Sequence, residues 1–200
     1  MAFDGLTDAY NKCAMGLCAE KTAEEMKITR ELQDAYAINS YERALAAIEK
    51  GLTKGEIVPV NDCEKDEEPL KFRPDKIPAL KPVFAKAGTV TAANASKLND
   101  GGCALILMSE EAMKANNLQP MARIVSFGDA EVDPMDFNIS PSEAAKVALK
   151  RAGMNASNMD AFEFNEAFSV TGIANMKLMD LDPSIVNVNG GAVALGHPIG

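Results

Sequence analysis

The sequence predicts an α/β protein, and three observations predict it. Residues 140–200 alternate helix, strand, helix, strand and then break into a loop. Apolar runs of strand length stand at 103–108, 122–127, 160–164 and 185–189, each bounded by turn residues. Hydrophobic residues make up 47% of the 200, enough for the core of one large domain or two small ones.

Charge and cysteine usage narrow the function classes. Twenty basic against twenty-nine acidic residues leave a net charge of -9, which argues against a nonspecific nucleic-acid or anionic-membrane surface. A local basic pocket for a phosphate-bearing ligand remains compatible with that charge. No pair among Cys13, Cys18, Cys63 and Cys103 has C-x-x-C spacing, and a single histidine does not complete a zinc set. Reduced, cytosolic or organellar chemistry is expected, with Cys103 in the core. No basic segment followed by an apolar one opens the chain, so no signal peptide is expected. No apolar run reaches the roughly 20 residues of a bilayer span.

The elements follow in order. Residues 4–8 read as a turn. Residues 19–27 are rich in Ala, Glu and Lys, with Ala19, Ala23 and Met26 on one helical face. Thr29 is placed to cap a second helix, with Glu31 in its first turn. Leu32, Ala35, Tyr36, Ala44, Leu45 and Ile48 give that helix an apolar face as far as Lys50, and Gly51 ends it. Residues 56–60 resemble a short edge strand because they contain a proline. Residues 61–82 form a long charged loop, whose acidic run matches no calcium-loop spacing and is expected to be solvated. Small residues dominate 90–96, where backbone can approach a helix or a ligand closely. Ser109 starts a helix to about Asn116. Ser140-Pro141-Ser142-Glu143 has a capping serine, a proline suited to the first helical position and a capping-box glutamate, and Gly153 closes the helix it begins. Asn165-Glu166-Ala167-Phe168 turns the strand at 160–164 into a further helix, which Asp182-Pro183 ends.

The chain's one histidine, His197, follows the last strand. Gly190, Gly191 and Gly196 precede it and Pro198 follows it, a context that holds it away from helical angles. Loops on a rigid scaffold often carry chemistry. On this stretch alone, a surface or hydrogen-bonded loop histidine fits equally well. Asn165 and His197 both stand at strand exits, where α/β proteins bind ligands.

These residues resemble a known family. Met15-Gly16 with Ala19-Glu20, Arg30 through Gln33-Asp34 to Ser40, residues 91–101, Asn165-Glu166-Ala167-Phe168 and residues 189–200 resemble the thiolases in order along the chain. The resemblance is to the acetoacetyl-CoA thiolase (acetyl-CoA acetyltransferase) type. Residues 4–12 and Ala37-Ile38-Asn39-Ser40-Tyr41 are similar to its mitochondrial form. It implies a partial thiolase fold, layered α/β/α/β/α, with an inserted loop domain that covers coenzyme A. Residues 1–80 would be the loop domain, 81–119 the tail of the first half, and 120–200 an incomplete second half.

The resemblance also implies an activity. Thiolases condense two acetyl-CoA to acetoacetyl-CoA in a reversible Claisen reaction, using two cysteines. His197 matches the histidine thought to activate the nucleophilic thiol and donate to the thioester oxygen. Asn165 matches the asparagine that holds a water in the same oxyanion hole. Ser96 matches a serine near the pantetheine of coenzyme A, and Met15 and Phe168 match residues packed around that arm. Ala92, Ala93, Ala95 and Val193 match residues lining a potassium site, although Pro69 stands where its tyrosine is expected. Ala14 replaces a histidine of many members. The implied partners are acetyl-CoA, acetoacetyl-CoA and coenzyme A, in a homodimer or homotetramer, with mitochondrial location and the cytoplasm as the alternative. Neither family cysteine segment falls within these residues, so the expectation is a fragment inactive by itself. Two other readings are a non-catalytic coenzyme A binding or partner-interacting protein, and an acyltransferase using Cys13 or Cys18.

Overall fold

The computed structural model describes residues 1–199; Gly200, the end of the predicted histidine loop, lies outside the described residues. The elements are α1 (Ala2–Gly5), α2 (Met15–Glu25), α3 (Arg30–Glu49), α4 (Glu110–Ala115), α5 (Ser140–Ala152), α6 (Ser169–Met179) and α7 (Ala192–Leu195), with 3-10 turns between them. The turn expected at 4–8 thus opens as the single helical turn α1.

Local chemistry sets the helix ends. Thr29 accepts from Leu32 N at 3.3 Å and Ser109 from Ala112 N at 3.2 Å, each satisfying an amide that the first turn leaves free. Gly153 closes α5 in the left-handed conformation, as predicted. The start of α5 differs. A 3-10 turn at Pro134–Ile139 runs directly into it, so Ser140 Oγ donates back to Phe137 O instead of capping.

Two apolar clusters hold the helices together. Ala19 and Ala23 of α2 pack with Ile28, Val90, Phe168 and the α6 residues Val170, Ile173 and Ala174. Ala37, Tyr41 and Ala44 of α3 pack on Val193 and Ala194 of α7. The inward face of α3 is rotated from the predicted one: Leu32 is 47% exposed, whereas Gln33, Asp34 and Ser40 are buried. These polar residues tolerate burial because they are bonded, with Gln33 Oε1 left without a partner. Gln33 Nε2 donates to Ile28 O and Thr89 Oγ1, and Asp34 accepts from Arg30 and Asn94. Arg30 also donates to Leu80 O and Ile77 O, and Arg43 to Pro183 O and Val186 O. α3 is therefore a polar spine that loops from both halves of the chain grip.

The strands were the least legible elements. Among the described residues pairing is confined to isolated bridges. The expected strands at 160–164 and 185–189 meet only at the single parallel bridge between Phe162 and Val186, and Ile185 ends a 3-10 turn. Segment 56–60 is instead irregular: Glu56 ends a run of turns, and Val60 bridges to Cys63. Segments 103–108 and 122–127 are exposed: Leu105 and Ile106 are each 86% exposed, Ile124 69%, and Cys103 is not core. A strand needs a neighbour for its amides and carbonyls, and no backbone bond joins either segment to another described segment.

Candidate active site

Segment 94–99 runs between the turn before α6 and the loop after α7, and it brings Asn165 and His197 together. Ser169 N donates to Asn94 O at 2.8 Å and Ser96 N to Ala167 O at 3.0 Å, so one edge follows the Asn165 turn. His197 N donates to Lys97 O at 2.8 Å and Asn99 Nδ2 to Leu195 O at 2.9 Å, so the other edge follows the histidine loop. Gly196, at φ 96°, admits Asn99 against its α-carbon, where a β-carbon would lie 2.6 Å from Asn99 Nδ2.

The histidine ring is oriented from both sides. His197 Nδ1 lies 3.0 Å from Pro198 O, and Nε2 lies 3.1 Å from Asn165 Nδ2. A carbonyl oxygen only accepts, so Nδ1 carries the hydrogen. In the neutral ring Nε2 then accepts from the Asn165 amide. The nitrogen able to take a proton is therefore the one facing the asparagine.

A buried carboxylate supports this loop. Glu166 is 1% exposed and accepts from Tyr36 Oη at 2.9 Å, Ser40 Oγ at 2.7 Å, Asn187 Nδ2 at 2.8 Å and Val193 N at 3.1 Å. Ser40 Oγ in turn accepts from Gly191 N at 3.1 Å. Gly191 admits the close approach, since a β-carbon there would lie 2.5 Å from the Glu166 carboxyl carbon. Burial, then the Glu166 charge and its hydrogen bond, push the Tyr36 phenol well above its usual range. It remains a donor. In the sequence Glu166 and Ser40 stood only within motifs and Tyr36 on the apolar face of α3, so their shared role was missed. The four-residue spacing of Tyr36 and Ser40 on α3 was the available signal.

The other predicted residues divide. Ser96 sits on the bridging segment. Phe168 is buried against Phe84 with ring centroids 6.1 Å apart. Met15 lines an open cleft of about 580 Å³ with Tyr10 and Phe137, and its neighbour Gly16 lies against Phe84. The predicted potassium donors do not fit a free ion. Lys97 Nζ occupies the carbonyls of Val193 at 2.9 Å, Ala95 at 3.3 Å and Ala93 at 3.4 Å, while Ala92 faces a neighbouring pocket of about 220 Å³. Lys71, Arg73 and Lys76 also line that pocket, together with Glu68.

None of the cysteines bonds to His197 or Asn165 among the described residues. Cys13 and Cys18 each lie 3.7 Å from Met135 Sδ. Burial, with the neighbouring Cys13 thiol, pushes Cys18 up to about 11. Cys63 and Cys103 are exposed.

The chain that builds this arrangement belongs to the thiolase family. The thiolase N-terminal domain model matches residues 1–111 and the thiolase C-terminal domain model residues 118–200. Among particular proteins, the chain is 52% identical to the human mitochondrial acetyl-CoA acetyltransferase, over 98% of this chain and 48% of that protein. It is 53% identical to a probable acetyl-CoA acetyltransferase of Dictyostelium discoideum, over 98% and 50%. The fold matches the Acat5 thiolase of Ascaris suum in complex with coenzyme A at TM-score 0.96 and 48% identity, over 98% of this chain and 53% of that one. It matches human mitochondrial 3-ketoacyl-CoA thiolase in complex with CoA at TM-score 0.94 and 42% identity, over 99% and 51%. The chain thus spans about half the length of the relatives it matches, and its fold is a partial thiolase fold.

Proposed function

We propose that these residues serve an acetyl-CoA C-acetyltransferase, which joins two acetyl-CoA into acetoacetyl-CoA and reverses that reaction. The observation carrying the reading is the 3.1 Å approach of Asn165 Nδ2 to His197 Nε2 at the exits of two paired segments. Forming or cleaving the carbon–carbon bond next to a thioester builds negative charge on the carbonyl oxygen, and donors aimed at that oxygen stabilise it. His197, with its Nδ1 hydrogen committed to Pro198, takes a thiol proton at Nε2. Once protonated there, it becomes a donor for the oxyanion. Asn165 contributes a second donor, directly or through a water.

Coenzyme A is the ligand class in this proposal. Ser96 and Phe168 lie next to the site for its pantetheine arm, and Lys71, Arg73 and Lys76 supply charge for its phosphates. Met15 enters the proposal only as a residue of the cover. Residues 1–80 act as the covering loop domain, 81–119 as the tail of the first half, and 120–200 as the start of the second. The reactive thiols belong to segments outside these residues, and the working assembly is a homo-oligomer in the mitochondrion. No potassium ion is carried into the proposal, because Lys97 holds its donors.

Titration calorimetry of the 200-residue chain with coenzyme A tests the reading. Binding with a Kd below about 1 mM, lowered in affinity by Lys71→Ala with Arg73→Ala, is expected. No heat at millimolar ligand overturns it. The competing reading, a binding protein without catalysis, draws on the absence of any bond between a cysteine and His197 among the described residues. It is separated by whether a whole protein containing these residues turns over acetoacetyl-CoA.

A further inference from the structure

The cation expected among Ala92, Ala93, Ala95 and Val193 is already supplied by a side chain. An ammonium presents three N–H donors, and Lys97 meets the three carbonyls of Val193, Ala95 and Ala93. Its remaining side faces the Tyr41 ring, with Nζ 4.9 Å from the centroid. Tyr41 is itself stacked on Phe72, with centroids 4.8 Å apart and planes 8° from parallel. A hard monovalent ion would seek these same oxygens. Val193 shows what the contact accomplishes. Its amide is held by Glu166 and its carbonyl by Lys97, so the peptides on both sides of its α-carbon are fixed just ahead of His197.

We propose that Lys97 is a tethered cation that replaces a bound monovalent ion and clamps residues 93–97 onto Val193, holding the histidine loop in place without potassium. The inference rests on the carbonyl geometry and holds whether or not the chain binds coenzyme A.

Hydrogen exchange and thermal melting of the 200-residue chain in about 150 mM potassium, sodium or N-methylglucamine chloride test it. The unmodified chain is expected to give the same melting temperature, within ~1 °C, and the same exchange for 190–198 in all three salts. A potassium-specific rise in either overturns the proposal. Lys97→Ala opens the space among the carbonyls. It is expected to speed exchange of 190–198 by about fivefold or more in sodium, with potassium restoring part of the protection. Lys97→Met fills the space without charge, and is expected to lose protection that potassium does not restore. Unchanged exchange in Lys97→Ala overturns the proposal, as does an alanine variant unfolded in both salts. An alanine variant folded only in potassium supports it.

Discussion

Asn165 Nδ2 stands 3.1 Å from His197 Nε2, although 32 positions separate the two residues. The contact depends on segment 94–99, which bonds to the loop on each side. In a whole protein containing these residues, His197→Ala is expected to lower kcat by about 10²–10³-fold and Asn165→Ala by a smaller factor. Both variants should keep the wild-type melting temperature, because both residues lie toward solvent. A fall in kcat of less than about fivefold for His197→Ala would remove it from the chemistry. The 200-residue chain alone is expected not to cleave acetoacetyl-CoA; turnover above a His197→Ala control would contradict that.

Glu166→Ala should destabilise the chain by at least about 3 kcal/mol, because it leaves the Tyr36, Ser40, Asn187 and Val193 donors without their acceptor. Glu166→Gln should cost less, since one oxygen remains. Urea unfolding measures both, and an alanine variant as stable as wild type would show that the carboxylate is dispensable.

The Tyr36 phenol is held protonated by burial and by Glu166. Its folded pKa lies above the unfolded value of 10.0. Its stabilising contribution is therefore complete below pH 10 and declines as the pH rises above it, when only the unfolded chain releases the proton. Stability measured between about pH 9 and pH 11 should fall less steeply in Tyr36→Phe than in wild type. Equal slopes would count against this assignment.

Thiol reactivity should follow exposure and burial. Cys63 and Cys103 are exposed and should alkylate fast with iodoacetamide at neutral pH, whereas Cys18, raised to about 11, should react at least ~10-fold more slowly. His197→Ala should change none of these rates. A Cys13 or Cys18 that reacts quickly, and loses that reactivity in His197→Ala, would revive an acyltransferase built on those thiols.

Leu105, Ile106, Ile124 and Phe127 expose apolar side chains on segments that make no backbone pairing among the described residues. Such surfaces drive association. The 200-residue chain should sediment with a concentration-dependent mass, and Leu105→Lys with Ile124→Lys should reduce that dependence. A monomer at all concentrations would contradict it.

What was legible in the sequence was local. Thr29 and Ser109 announce their helices because a cap needs only its own turn. His197 and Asn165 were found through their motifs. The buried face of α3 was misjudged because burial there is secured by partners distant in sequence: Gln33 by Thr89, Asp34 by Asn94, Ser40 by Glu166. Lys97 was passed over for the same reason, since its role depends on Val193. The predicted strands at 103–108 and 122–127 have the composition of strands, but pairing is a property of two segments and composition describes one.

The bond from His197 N to Lys97 O joins a residue of the stretch matching the thiolase C-terminal domain to one of the stretch matching the N-terminal domain. The two stretches are therefore not interchangeable modules. A chimera that takes residues 195–198 from one relative and 94–99 from another would inherit a histidine whose alignment was tuned on a different neighbour. Grafting the site means moving both strips together.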